Sequence, residues 1–273
     1  MDYQRPLQST LLCLSILVLL GTACNSNTSN SGTTARGEPI TSAKSLTEDT
    51  TLAVWAELIR GTEIEVAKVY TENPVFLGPT GSLGFPLEEQ IRYHQIRYKD
   101  LTSLVNLHRT IASEERGYLY EIGHFTNAKQ EEFKHLLILK QQGDTLRREM
   151  EFIAPASAVD SSALLAFDQR RTDWMELCNA HNAEKLVTSL YTPDALYYNH
   201  KPLIVGHEAI AKDYQYMNRE NYSLQLKPIH IELVNDRMAY EIGQCSGSYG
   251  GKYLFVWYKD SKGTWSVLMD SNI

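Results

Sequence analysis

The sequence predicts an α+β fold written twice, and three observations predict it. The first is an internal repeat. Trp55-Ala-Glu-Leu58 returns as Trp174-Met-Glu-Leu177, and Val69-Tyr-Thr71 returns as Leu190-Tyr-Thr192. Tyr120-Glu-Ile-Gly123 returns unchanged as Tyr240-Glu-Ile-Gly243, and Lys134-His-Leu-Leu returns as Lys252-Tyr-Leu-Phe255. The offsets are 119, 121, 120 and 118 residues, so the order and the spacing are both kept. The second observation is that helical periodicity comes first in each copy and strand-like alternation comes last. That is the order of an α+β domain, not of alternating βαβ units. The third is composition: 43% apolar residues supply a core, and 16 tyrosines suit half-buried β surfaces.

The first element in the chain is an address. Residues 11–20, LLCLSILVLL, are apolar except for Ser15 and too short to span a bilayer. They follow Arg5 and precede Gly21, Thr22, Ala23 and Cys24, the layout of a secretory signal peptide. The ending Leu20-Gly-Thr-Ala-Cys24 is similar to a bacterial lipoprotein signal, in which the cysteine thiol takes a diacylglycerol and becomes the first residue. Residues 1–23 are therefore read as signal peptide and Cys24 as the lipidation site. Residues 24–47 are rich in Ser, Thr, Asn and Gly. They cannot bury enough surface to offset chain entropy, and they read as a flexible tether. The expected location is the cell envelope, with acyl chains holding the protein to a membrane.

The two copies follow, expected at 48–155 and 156–273, with the seam at Ala154-Pro155-Ala156-Ser157. In the second copy Leu164, Phe167, Trp174, Leu177, Cys178 and His181 share one side at helical spacing. A second helix is expected from Ala183 to Leu190, and Tyr191-Thr-Pro-Asp194 reads as a stop and turn. A β segment from Ala195 to Asn199 and a helix from Gly206 to about Met217 come next. Strands are expected over Leu224–Val234, Arg237–Ser246, Tyr253–Lys259 and Trp265–Ser271, with a hairpin at Ser261-Lys-Gly263.

Charge and cysteine content exclude some functions. Lys and Arg total 26 against 33 Asp and Glu, a net charge of −7, and no long basic run exists. Nucleic-acid binding needs a clustered cationic face and is not expected. Four cysteines are too few for a disulfide-dense scaffold. Cys178 and Cys245 read as buried free thiols, although an exported protein permits a bridge. His207-Glu208 opens a His-Glu-x-x-His pattern, but Ala211 stands at the second His position, so no metal is expected. His181 reads as a helix-end group and His200 as a turn residue. No cofactor motif is found. The run Gly247-Ser-Tyr-Gly-Gly251-Lys lacks phosphate-loop spacing and reads as a hairpin.

The motifs Trp174-x-Glu-Leu, Leu190-Tyr-Thr-Pro-Asp-Ala-Leu-Tyr-Tyr198, Gly206-x-Glu-x-Ile210, Tyr240-Glu-x-Gly243, Tyr253-Leu-x-Val-Trp257, Gly263-x-Trp265 and Asp270 resemble the nuclear-transport-factor-2-like superfamily. The resemblance is to its SnoaL-like and ketosteroid-isomerase-like branch, and it extends more loosely to residues 48–153. It implies a curved antiparallel sheet wrapped around helices as a cone, whose interior binds apolar ligands or performs catalysis in some members. The isomerases' catalytic Asp falls on Asn199 in the second copy and on Gly78 in the first, and their oxyanion-holding acid falls on Phe255. Isomerase chemistry by that route is therefore not expected.

Strand alternation gives the candidate site. Tyr197 and Asn199 are expected inside the second cone, with Tyr253, Phe255, Trp257, Leu268, Asp270 and Asn272. Asp270, under aromatic rings, is the candidate general acid or base. Glu241, from the repeated Tyr-Glu-Ile-Gly, is a candidate ligand-binding residue, but acids kept in both copies, Glu241 with Glu121 and Asp270 with Glu151, fit a structural role in docking the helices somewhat better. The aligned positions of the first copy are Phe76, Gly78, His135, Leu137, Leu139, Glu151 and Ile153. They are mostly aliphatic, so the second cone is expected open and the first filled. The leading reading is a lipoprotein that binds a small apolar or aromatic ligand in the second cone. A protein-interaction module of the envelope is one alternative, and a SnoaL-like cyclase, isomerase or dehydratase using Asp270 is another.

Overall fold

The structure, a computed structural model, describes residues 48–78, 83–199 and 202–273. The expected signal peptide, Cys24 and tether lie outside these residues, as does His200. The first half runs α1 (Glu48–Arg60), β1 (Tyr70–Leu77), α2 (Leu87–Tyr98), β2 (Leu101–Ser113), β3 (Tyr118–Asn127), β4 (Glu132–Gln142) and β5 (Thr145–Pro155). The second half runs α3 (Ala163–Asn179), α4 (Ala183–Leu190), β6 (Tyr191–Tyr197), β7 (Ile204–Val205), α5 (His207–Asp213), β8 (Leu224–Asn235), β9 (Met238–Gly247), β10 (Lys252–Lys259) and β11 (Trp265–Ser271). The strands form two sheets, ordered β1-β5-β4-β3-β2 and β7-β6-β11-β10-β9-β8. In each, one short strand joins the last strand in parallel, β1 on β5 and β6 on β11, and the remaining pairs are antiparallel.

Local sequence explains most of these elements. In α4 the apolar residues Ala183, Leu186, Val187 and Leu190 recur at helical spacing and all are buried. The Asn182 side chain caps this helix by accepting from the Lys185 N–H at 3.0 Å. His181 closes α3 in the left-handed conformation (φ 57°), with Nδ1 3.2 Å from the Met217 carbonyl oxygen. Two expectations need correction. Tyr191 opens β6 instead of a turn, because it pairs with Val267 on β11, and a register shift after that pair absorbs Pro193 and Asp194. Leu164 lies in the first turn of α3 and is exposed.

The repeated Tyr-Glu-Ile-Gly works by strand alternation. Tyr120 and Ile122 face one side of β3, and Glu121 and Gly123 face the other. The glycine is required by its cross-strand partner. Gly123 pairs with His135 and Gly243 with Tyr253. A Cβ added at Gly123 would lie 2.2 Å from the His135 ring, and one at Gly243 would lie 2.1 Å from the Tyr253 ring.

The Tyr and Ile of the motif lie between the two sheets. This inter-sheet core holds Tyr120 and Tyr240, Ile122 and Ile242, Leu136 and Leu254, Ile138 and Val256, and Met150 and Met269, all buried. Each pair occupies the same place in the two halves. An interface in which one patch meets its own repeat is the signature of two-fold association. At the near edge His108 and His230, which oppose Ile122 and Ile242, stack on each other with centroids 5.0 Å apart and planes 2° from parallel. Polar clasps rim the contact. Tyr120 Oη lies 3.0 Å from Ser271 Oγ, Lys134 Nζ lies 2.6 Å from Glu232, and Tyr198 Oη donates to Glu149 at 2.6 Å. The helices cover the opposite faces, so the order of layers is helix, sheet, sheet, helix.

Gly243→Ala is expected to destabilise the fold by about 1–3 kcal/mol through overpacking. Combining it with Tyr253→Ala should cost less than the sum of the two single changes. Denaturant unfolding of the double-mutant cycle checks this, and strict additivity would show that the Tyr253 ring is not what the glycine admits.

Candidate functional site

Two buried acids lie inside each cone, one from Tyr-Glu-Ile-Gly and one on the last strand. In the second half Tyr191 Oη donates to Asp270 Oδ2 at 2.6 Å, and Tyr214 Oη donates to the same oxygen. Trp174 Nε1 in turn donates to Tyr191 Oη at 3.0 Å. Burial raises the Asp270 carboxyl to about 6, although both phenol hydrogen bonds pull it down. Glu241 accepts from Tyr253 Oη at 2.6 Å, from Trp257 Nε1 at 2.8 Å and from Arg171 Nη1 at 2.8 Å. Burial still wins there, and its carboxyl sits above the ordinary range.

The structure does bring the candidate residues of the second half together. Tyr197, Tyr253, Phe255 and Trp257 share one core cluster with α3, α4 and α5. Tyr197 Oη donates to Asn272 Oδ1 at 2.5 Å and accepts from Asn199 Nδ2 at 3.1 Å. The expected open cavity differs from what is seen. Tyr197, Tyr253, Phe255, Trp257 and Asp270 are each 2% exposed or less. Phe167 stacks on Trp257 at 5.6 Å, and Phe255 meets Trp257 edge-on at 5.3 Å. Aromatic rings from the helices thus fill the cone at interior density. Three surface hollows of about 400, 510 and 500 Å³ take none of their lining from these side chains.

Leu268 is a second correction. The register between β10 and β11 shifts so that Val256 opposes Met269 and Trp257 opposes Val267, which leaves Leu268 as an extra residue. This bulge turns Leu268 to the inter-sheet side and Val267 into the cone. The first half carries the same bulge. Ile138 opposes Met150 and Leu139 opposes Arg148, with Glu149 as the extra residue. The bulge there turns Arg148, at the place of Val267, into the first cone.

That adds a buried cation to a first cone whose expected residues Phe76, His135, Leu137, Leu139, Glu151 and Ile153 are themselves buried. Arg148 is fully buried, with its guanidinium 4.1 Å over the Trp55 ring and Nη1 bonded to Glu151 Oε2. Trp55 Nε1 donates to Tyr70 Oη at 3.0 Å, and Tyr70 Oη donates to Glu151 at 3.5 Å. This Trp–Tyr–acid chain is the same as Trp174–Tyr191–Asp270. His94 of α2, at the place of Tyr214, has Nε2 3.0 Å from Glu151 Oε1. Glu121 accepts from Arg109 Nε at 2.6 Å and lies 3.3 Å from His135 Nε2. Burial would raise Glu121, but these partners prevail and its carboxyl lies below the ordinary range. Burial pushes both His94 and His135 down, favouring neutral imidazole. The sequence reading missed His94 because α2 of the first half lacks a matching motif. It missed Arg148 because strict alternation points that residue outward.

Cys178 and Cys245 are free and buried, and burial pushes each thiol up to about 12, so neither is a nucleophile. Among the described residues no three His, Cys, Asp or Glu side chains converge as metal ligands.

No protein-family model and no curated protein matches this sequence. Solved structures do. The chain is similar to an NTF-2 like protein of unknown function from Shewanella oneidensis MR-1, at 12% identity and TM-score 0.37, over 40% of this chain and 97% of that one. It is similar to a ketosteroid isomerase-like protein from Erwinia carotovora atroseptica, at 14% identity and TM-score 0.36, over 41% and 95%. It is also similar to a domain of unknown function with a cystatin-like fold from Nostoc punctiforme, at 18% identity and TM-score 0.34, over 43% and 78%.

Asp270 predicts a pH signature. Its carboxyl is raised in the fold, from 3.8 to about 6, so the folded chain holds the proton more tightly than the unfolded chain. Its contribution is complete below about pH 4 and is lost as the pH rises to about 6, of order 3 kcal/mol. The stability difference between wild type and Asp270→Asn should therefore shift by that order between pH 4 and pH 7, in favour of the variant at the higher pH. A pH-independent difference in denaturant unfolding would refute the raised carboxyl.

Proposed function

We propose that this protein is an exported, lipid-anchored small-molecule-binding protein without a catalytic step of its own. In this reading the first half is the binding copy and the second half is a closed structural copy. The observation that carries it is the contrast in polar satisfaction between the two cones. In the second, Asp270 and Glu241 are surrounded by donors from Tyr191, Tyr214, Tyr253, Trp257 and Arg171. In the first, His94 Nδ1, His135 Nδ1, Arg148 Nε and Arg148 Nη2 are buried without a hydrogen-bond partner. Buried polar atoms rarely stay unpaired, and such a cluster marks a place where another molecule completes the bonding.

The mouths of the cones differ in the same sense. In the second half Tyr197, Asn199 and Asn272 form a hydrogen-bonded chain. By the repeat their counterparts are Phe76, Gly78 and Ile153, which cannot form it. The lipoprotein-like ending at Cys24 supports anchoring, and the polar run from 24 to 47 would hold the folded part off the bilayer. The envelope interaction module stands as the second reading, favoured by the two sheets that cover each other's faces and leave the molecule a fixed unit.

Cys24→Ser is expected to release the protein from the membrane fraction and to abolish acyl labelling, and unchanged fractionation would remove the anchor. A thermal-shift screen of the detergent-purified full chain against a metabolite set tests binding. A ligand whose shift is lost in Arg148→Met, with circular dichroism unchanged, supports the first cone. A ligand lost instead in Trp257→Ala would move the site to the second.

A further inference from the structure

We infer that the stacked pair His108 and His230 is an acid-sensitive clasp, which holds β2 to β8 while at most one ring is charged and releases both strands once both are protonated. The two residues occupy the same place in the two halves, opposite Ile122 and Ile242. Their rings lie 5.0 Å apart and 2° from parallel, so at this edge the halves meet as one imidazole on another. β2 and β8 are outer strands of their sheets. The ladder is interrupted beside each histidine, by a register shift between Asn106 and His108 and another between Pro228 and His230. A bulged outer strand opens at lower cost than the centre of a sheet, so the stack holds a part of each sheet that parts readily.

The charges around the pair accept one proton and oppose the second. β8 brings Glu232, whose carboxylate lies 3.4 Å from His230 Nε2, and β4 brings Lys134, 2.6 Å from the same residue. β10 brings Lys252, whose charge bears on His108. Arg109, next to His108, is engaged with Glu121 in the first cone. Thr110 stands where the second half has Glu232, each opposite the repeated tyrosine, so His108 lacks the carboxylate that serves His230. His108 Nε2 is buried without a hydrogen-bond partner. Protonating His230 therefore gains an ion pair. Protonating His108 as well sets a second cation beside the first, with Lys252 adding to the repulsion.

Burial, and then the charges of His230 and Lys252, hold the His108 imidazole below its ordinary range. The fold thus favours the neutral ring. The clasp is intact above the unfolded imidazole value of about 6.5 and weakens as the pH falls below it. β2 also carries Arg109, whose Nε donates to Glu121 at 2.6 Å, so loosening β2 reaches the first cone.

Hydrogen exchange of the detergent-purified full chain, followed by mass spectrometry at pH 7.5 and pH 5.0, tests the clasp. After correction for the intrinsic rate, protection of β2 and β8 is expected to fall at least tenfold at the lower pH, while β4 and β10 change less than threefold. His108→Phe keeps a ring in the stack without the charge and should abolish the fall. His108→Lys carries a permanent charge and should show the lowered protection already at pH 7.5. Should His108→Phe fail to fold, His230→Phe makes the same test. An equal fall in wild type and the phenylalanine variant, or no fall in wild type, would overturn the clasp. A fall spread evenly over all strands would assign the acid response to global unfolding and overturn it as well.

Discussion

The face-to-face packing of the two sheets is the contact on which the rest of this structure depends. A five-stranded or six-stranded sheet has two faces to bury, and its own helices cover one. The other is covered by the repeat. Ile122 and Ile242, Leu136 and Leu254, and Ile138 and Val256 each contribute about 1.5–3 kcal/mol relative to exposure. Because alternation sends every second side chain to this contact, it also decides what remains inside each cone. The acids Glu121 and Glu241 enter the cones because Tyr120 and Tyr240 are committed to the interface.

Inside the cones the repeat keeps a scaffold and varies its lining. A tryptophan on the first helix donates to a tyrosine on the short parallel strand, and the tyrosine reaches an acid on the last strand, in both halves. This chain ties helix, edge strand and final strand at one buried point. The bulge at Glu149 and Leu268 is kept as well, and the residue before it decides the character of each interior. Valine there gives a dry cone packed with aromatic rings. Arginine there gives a buried cation that one internal carboxylate satisfies on one side only.

The interiors of the two halves therefore differ on physical grounds. A cone whose polar atoms are all engaged and whose rings interlock at 5–6 Å is a structural core. A cone with a half-engaged guanidinium and two unpaired imidazole nitrogens keeps buried polar atoms at a cost to stability. Duplication permits this difference, since each copy keeps the shared scaffold while its lining varies.

The sequence by itself determined the repeat, the α+β class and the order of helices and strands, because these follow from period and motif spacing. It also named Tyr253, Phe255 and Trp257 as inward, because alternation runs unbroken along β10, and Asp270, which lies beyond the bulge of β11. Tertiary structure decided the rest. The bulges reverse alternation over one residue, which hid Arg148 and displaced Leu268, and no local pattern announces a bulge. His94 arrives from a helix that no motif marks, more than fifty residues before the acid it faces. Whether a cone is open or filled depends on how rings from separate helices interlock, as Phe167 does with Trp257. That is a property of three-dimensional packing, and one-dimensional patterning carries no record of it.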